Sequence, residues 1–248
     1  MRIFAVLLLL ITQSVTAQPS FERGNDFYRS GNFKSAAAEY ENLLKSGKES
    51  AELYHNLANA YYKMNRLGHS IYFYEKALLL DPNDIDTKTN LEFARKKRID
   101  EIKEVPRSGL SSIIRDLTSV FHYNTWAWTT VAAAFLLLLC FAAYYFSMAA
   151  HRKKVWFGVM FFPLVLMVVS VFAAFVGYNS FSSERPAIVL SGVAEVKSEP
   201  SELAEAAFVL HEGTKVYVEE SLGKWSKVWL PDGNNGWLRT ANIRELKD

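Results

Sequence analysis

No Asp, Glu, Lys or Arg occurs between Asp116 and His151, and a second apolar run extends from Val155 to Tyr178. Only His151, Arg152, Lys153 and Lys154 separate the two. The densest part of the first run, residues 126–148, would make a helix about 35 Å long at roughly 1.5 Å per residue, enough to cross about 30 Å of hydrocarbon. One continuous helix through both runs would carry three cations to mid-membrane, at roughly 3 kcal/mol each. A hairpin leaves them in water. The sequence therefore predicts two transmembrane helices, 126–150 and 155–180, joined by a loop at 151–154. Excess Lys and Arg hold such a loop on the cytoplasmic side. Arg152, Lys153 and Lys154 are thus the topology determinants, and the polar segments on either side both face outward. Trp126 and Trp128 at one end of the first span, and Tyr144 and Tyr145 at the other, fit an interfacial aromatic belt, as do Trp156 and Tyr178 around the second. Pro163 predicts a kink, which lipid tolerates.

The first residues, "MRIFAVLLLLITQSVTAQ", place Arg2 before a short apolar stretch and a small-residue cleavage pattern. They read as a signal peptide over 1–17 with cleavage at Ala17; the alternative is an uncleaved anchor, which delivers the chain to the same side. The remaining charge is uneven. Residues 18–105 carry 14 Lys+Arg and 14 Asp+Glu, residues 181–248 carry 8 and 11, and the rest of the cations flank apolar runs. That distribution excludes a nucleic-acid-binding face. Cys140, the only cysteine, lies within an apolar run, so no disulfide forms within the chain.

The segment "GNDFYRSGNFKSAAAEYENLL" (24–44) aligns with "ANAYYKMNRLGHSIYFYEKAL" (58–78) at an offset of 34 throughout. Asn25 falls on Asn59, Tyr28 on Tyr62, Tyr40 on Tyr74, and Gly31 on Asn65, the residue types that enter the left-handed region most cheaply. Pro82 stops the last helix of the pair. This pattern resembles the tetratricopeptide repeat (TPR), a helix–turn–helix unit of that period. Two repeats, about 17–50 and 51–84, and a capping helix then fill 18–105. Phe27, Tyr40, Tyr61 and Tyr74 are expected to pack between helices. By the resemblance, Asn25, Tyr28, Arg29, Asn59, Tyr62 and Lys63 line the inner groove, where such repeats grip extended peptides. Some relatives clamp a C-terminal carboxylate with paired asparagines and cations. Asn25 and Asn56 fit the asparagine places, but Phe21, Asp86 and Asn90 stand in the cationic ones, so that mode is not expected.

After an amphipathic linker over 106–125, with Ile113, Ile114, Leu117, Val120 and Phe121 on one stripe suited to a membrane interface, and after the hairpin, the chain alternates apolar and polar residues. About five short strands rich in Val, Trp and Tyr are divided by turns such as "PDGNNG". Over about 188–246 the order resembles the bacterial Src-homology-3-like (SH3-like) domain, a small closed all-β barrel that hides its edges. The resemblance implies a ligand face for cell-wall peptides or proline-rich segments. Tyr217 and Trp229 are its candidates, while Trp225 and Trp237 are expected to fill the barrel. The boundaries are taken as 186–248.

Chemistry-bearing patterns are missing. No histidine has metal-ligand spacing with another His or Cys, no serine sits in a nucleophile elbow, and "GNNG" lacks the lysine and helix of a phosphate cradle. The glutamates are expected on helical faces, solvated or paired with Lys. No enzymatic role, cofactor or metal is expected. The whole order of parts is similar to the BatE-type proteins of bacterial aerotolerance (Bat) operons. The resemblance implies a multi-pass protein of the bacterial inner membrane with both terminal domains periplasmic. It further implies a non-enzymatic scaffold assembling with other Bat-type membrane proteins. The alternative is a peptidoglycan-binding anchor acting through the SH3-like domain.

Overall fold

The computed structural model describes residues 19–103, 109, 114, 116–118 and 120–247. The expected signal segment with Ala17, and part of the linker that includes Ile113, lie outside the described residues. The chain forms two units. One joins the residues up to Glu101 with Pro186–Leu230 and Asn235–Asp248; the other is Ile102–Arg185 with Pro231–Asn234.

In the first unit, α1 (Pro19–Arg29), α2 (Phe33–Lys45), α3 (Ala51–Lys63), α4 (Leu67–Leu80) and α5 (Ile85–Arg95) follow one another. The period of 34 recurs in their backbone. Gly31 and Asn65 both take positive φ, 80° and 57°, at the turns inside the two helix pairs. Ser50 and Asp84, also 34 apart, both cap helix N-termini by accepting a backbone N–H, from Leu53 and Asp86. Helix α4 ends at Leu80, just before Pro82. Tyr40, Leu57, Ile71 and Tyr74 are almost fully buried and anchor the core between the helices.

Seven strands follow: β1 (Pro186–Val189), β2 (Val193–Lys197), β3 (Ala206–His211), β4 (Lys215–Leu222), β5 (Trp225–Trp229), β6 (Asn235–Arg239) and β7 (Ile243–Glu245). They form one antiparallel sheet in the order β3-β2-β6-β5-β4-β1-β7. The expected closed barrel is corrected here. Its edges, β3 and β7, do not pair, so the sheet is open. An open edge invites non-native pairing unless something covers it. Ile188 of β1 and Leu246, just after β7, are buried in the core of the repeats, so helices cover that end of the sheet instead of another strand. The interior is also built differently from the expectation. In β5 the pattern of burial places Ser226 and Val228 inside, while Trp225 and Trp229 are only partly buried on the other face. Trp237, directly opposite Lys227, shares that outer face.

Polar contacts fasten the sheet to the repeats. Glu75 of α4 is buried and accepts hydrogen bonds from Arg95 Nη2 at 2.6 Å and from Lys215 Nζ at 2.9 Å. Of the two places expected for glutamates, solvent or a pairing with Lys, this residue takes the second, and it does so buried. Asp100 accepts from the backbone N–H of His211 at 2.7 Å, from His211 Nδ1 at 2.7 Å and from Thr214 Oγ1 at 2.6 Å. Glu212 accepts from the backbone N–H of Gly68 at 2.9 Å. The Arg244 guanidinium lies 4.8 Å from the Tyr72 ring centroid.

The second unit holds α6 (Tyr123–Phe146), α7 (Ala150–Val159) and α8 (Phe161–Ser183). Two helices, α6 and the combined stretch Ala150–Ser183, are long and apolar enough to cross a membrane. They run antiparallel: Tyr123 at the start of α6 packs against Tyr178 and Phe181 near the end of α8, and Thr130 Oγ1 donates to Ser170 Oγ at 2.9 Å. Small residues Ala133, Cys140, Ser170 and Ala173 are buried between them, which lets the two helices approach closely. The expected loop at 151–154 is displaced. The connection consists of residues 147–149, and His151–Lys154 form the first turns of α7. Ser147 and Ala149 supply the extended backbone of the turn, and Arg and Lys are good helix formers, so no longer loop is needed. The kink expected from Pro163 takes the form of a helix break at Met160. The proline has no N–H to give to the carbonyl four residues earlier.

Candidate functional site

Helices α1 and α3 each present an asparagine, a tyrosine and a cation along one face. Asn25, Tyr28 and Arg29 recur as Asn59, Tyr62 and Lys63. Asn25 Oδ1 accepts a hydrogen bond from Tyr40 Oη at 2.6 Å and another from Asn56 Nδ2 at 3.3 Å. One repeat later, Asn59 Oδ1 accepts from Tyr74 Oη at 2.5 Å and from Asn90 Nδ2 at 3.2 Å. The same relay is therefore built twice, each member displaced by 34. Both acceptor oxygens are engaged within the fold, which fixes the side-chain amides and leaves their N–H₂ groups as the donors on offer.

These residues line two adjoining hollows. One, of about 230 Å³, is bounded by Asn25, Tyr28, Arg29, Tyr40, Asn56 and Asn59. The other, of about 290 Å³, is bounded by Tyr28, Asn59, Tyr62, Lys63, Tyr74, Asn90 and Phe93. Tyr28 and Asn59 belong to both, so the hollows form one continuous face, and all six groove residues read from the sequence come together there. The sequence reading missed Asn90 and Phe93 as groove residues. Asn90 was visible as the residue 34 after Asn56. Phe93 was not, because an aromatic stands where the first two repeats have asparagine.

Local electrostatics differ along the face. Arg29 is exposed and paired with Asp26 at 2.5 Å, and that hydrogen bond, together with the carboxylate charge, raises its pKa. Lys63 is exposed and makes no ion pair among the described residues. Lys97 lies over the Tyr62 ring, 4.3 Å from its centroid. Burial pushes the Tyr40 phenol up to about 12 and raises Tyr74 still further, so both stay protonated donors to the asparagines at physiological pH. The face thus combines fixed amide donors, phenols, an aromatic ring and cations. Such a set can hold an extended polypeptide by its backbone and seat side chains between the rings.

On the sheet, Tyr217 and Trp229 are direct cross-strand partners whose rings stack 4.4 Å apart at 14°. Both are partly buried. Arg239 lies 5.9 Å from the Trp225 ring. In the second unit, Arg152, Lys153 and Lys154 are all exposed.

Two family models match the helical segment: "Tetratricopeptide repeat" over residues 51–84 and "TPR repeat" over residues 24–65. Residues 24–84 are thus TPR repeats, a non-catalytic interaction module that points to protein partners. No curated protein matches the chain.

Proposed function

We propose that the protein is a non-enzymatic, membrane-anchored scaffold whose repeat face grips an extended segment of a protein partner. The observation that carries this reading is the duplicated asparagine relay. Asn25 and Asn59 hold the same hydrogen bonds and stand one repeat apart on a continuous face. Fixed donors at a regular interval suit the regular carbonyls of an extended chain. Tyr28, Tyr62 and Phe93 supply apolar surface between them, and Arg29 and Lys63 attract acidic neighbours.

The hairpin crosses the bacterial inner membrane with the cationic start of α7, Arg152–Lys154, on the cytoplasmic side, and both terminal domains stand in the periplasm. The order of parts supports assignment to BatE-type proteins, with other Bat-type membrane proteins as partners. The order of motifs over 188–246 supports an SH3-like origin for the sheet, although it is open and has seven strands where about five were expected.

A photo-crosslinking residue at position 63 of the membrane-inserted full chain tests the groove. A protein adduct is expected that is lost when Tyr28 and Tyr62 are both changed to alanine while the helical circular dichroism is unchanged. Equal adducts in both forms would overturn the groove as the binding face.

A further inference from the structure

Between the helices of the second unit lies an apolar hollow of about 480 Å³, within the size range of small-molecule sites. Ala134, Leu138 and Phe141 line it from α6, and Phe157, Phe161 and Leu164 from α7 and α8. The lining of each wall recurs every three or four residues, so each wall is one helical face.

That face does not end at Phe157. Lys153 and Lys154 precede Phe157 by four and three residues and continue the same stripe. Lys153 Nζ lies 5.8 Å from the Tyr144 ring centroid, and that ring is 6.3 Å from the Phe157 ring, which brings a cation to the mouth of the hollow. Arg152 stands beside it. All three are exposed, no acidic residue shares their turn, and none pairs with a carboxylate among the described residues. From Lys154 to Leu164 the chain climbs about 15 Å at roughly 1.5 Å per residue, because Met160 at the break keeps right-handed helical φ and ψ; that is half of the roughly 30 Å hydrocarbon thickness. An apolar trough one leaflet deep, with unpaired cations at its mouth, matches a molecule that has an anionic head and a long apolar tail.

We propose that this hollow binds one acyl chain of an anionic phospholipid whose phosphate is held by Arg152, Lys153 and Lys154. The site rests on the reading that α6–α8 cross a membrane. A zwitterionic phospholipid offers the same tail with a neutral head, and inorganic phosphate offers the charge without the tail.

The test uses the full chain in phosphatidylcholine nanodiscs doped with a lipid carrying a mid-chain diazirine, headed either by phosphatidylglycerol or by phosphatidylcholine. Labelled residues are mapped by mass spectrometry. Phosphatidylglycerol is expected to label 134–141 and 157–164 more strongly, by roughly fivefold for each cation that takes part. The preference is expected to vanish in R152Q/K153Q/K154Q and to survive in R152K. Ala134→Phe, which fills the trough, is expected to lower labelling there by both lipids. Excess inorganic phosphate is expected to leave the labelling unchanged. Equal labelling by the two lipids in the unaltered chain, a preference that persists in the triple variant, or its loss to free phosphate would each overturn the site. Labelling by neither lipid anywhere in 123–183 would overturn the membrane reading and the lipid site with it.

Discussion

Glu75 shows how one side chain can join segments far apart in the sequence. Burial alone would raise its carboxyl pKa, but Lys215 and Arg95 outweigh burial and hold it below its ordinary 4.5. Asp100 is similar: burial opposes ionisation, and hydrogen bonds from Thr214 and His211 win and hold it below its ordinary 3.8. Both are depressed carboxylates. Their stabilisation is therefore complete above the unfolded values and is lost as pH falls through the lower folded ones. Acidification from pH 5 downward is expected to weaken the repeat–sheet joint before the helices themselves. Glu75→Gln removes the shared negative charge, turns one of the two acceptor oxygens into a donor and leaves two cations facing each other. Breaking a fully buried pair costs about 3–5 kcal/mol; Arg95 and Lys215 are each about a third exposed, so a loss on the order of 2 kcal/mol is expected. Urea unfolding of the full chain at pH 7 measures it, and at pH 3 the difference between the two forms should shrink. None of this was legible in the sequence. Glu75 sits in an ordinary helical pattern, and its partner Lys215 is 140 residues away. The groove asparagines, by contrast, announced themselves through a repeat that places equal residues in equal environments.

At the scale of elements, the period of 34 revealed α1 to α4, because each repeat must bury the same face against its neighbour. It did not reveal the sheet's open edge. Alternation specifies which strand face is buried, while closure depends on whether another part of the chain covers the last strand. Here the repeats supply that cover next to the edge strand, where α4 packs on β1 at very close range. A Cβ on Gly68 would stand 2.8 Å from the carbonyl oxygen of Val189 and 3.3 Å from the Cα of Leu190. In an isolated helix Gly→Ala gains up to about 1 kcal/mol. Gly68→Ala is expected to have the opposite sign, a loss of roughly 1–3 kcal/mol, because the obstacle is strand backbone rather than a flexible side chain. Thermal unfolding checks it, and a stabilised variant would show that the strand can withdraw. The connection at 147–149 teaches a related point. Charge located the break between the two apolar runs, yet helix propensity drew the charged residues into the following helix and left the turn to Ser147, Met148 and Ala149.

At the scale of the whole molecule, the sequence reading assumed two separable outer modules, with the hairpin between them in the chain. Ile188 and Leu246 are buried in the same core as Leu57 and Ile71, so repeats and sheet form one cooperative body interrupted in sequence by residues 102–185. The six tryptophans make this measurable. Trp126, Trp128 and Trp156 lie in the hairpin, whereas Trp225, Trp229 and Trp237 lie in the sheet. Replacing 102–185 by a long Gly/Ser linker leaves tryptophan fluorescence to report on the sheet alone, while far-ultraviolet circular dichroism reports mainly on α1–α5. A shared core requires the two signals to fall together in one denaturant transition. Glu75→Gln, although it changes a helix, is expected to move both midpoints equally. Two separate transitions would mean that the sheet folds without the repeats. With a single transition, a partner held in the groove would also stabilise the sheet, because whatever binds the folded body raises the stability of every part that unfolds with it.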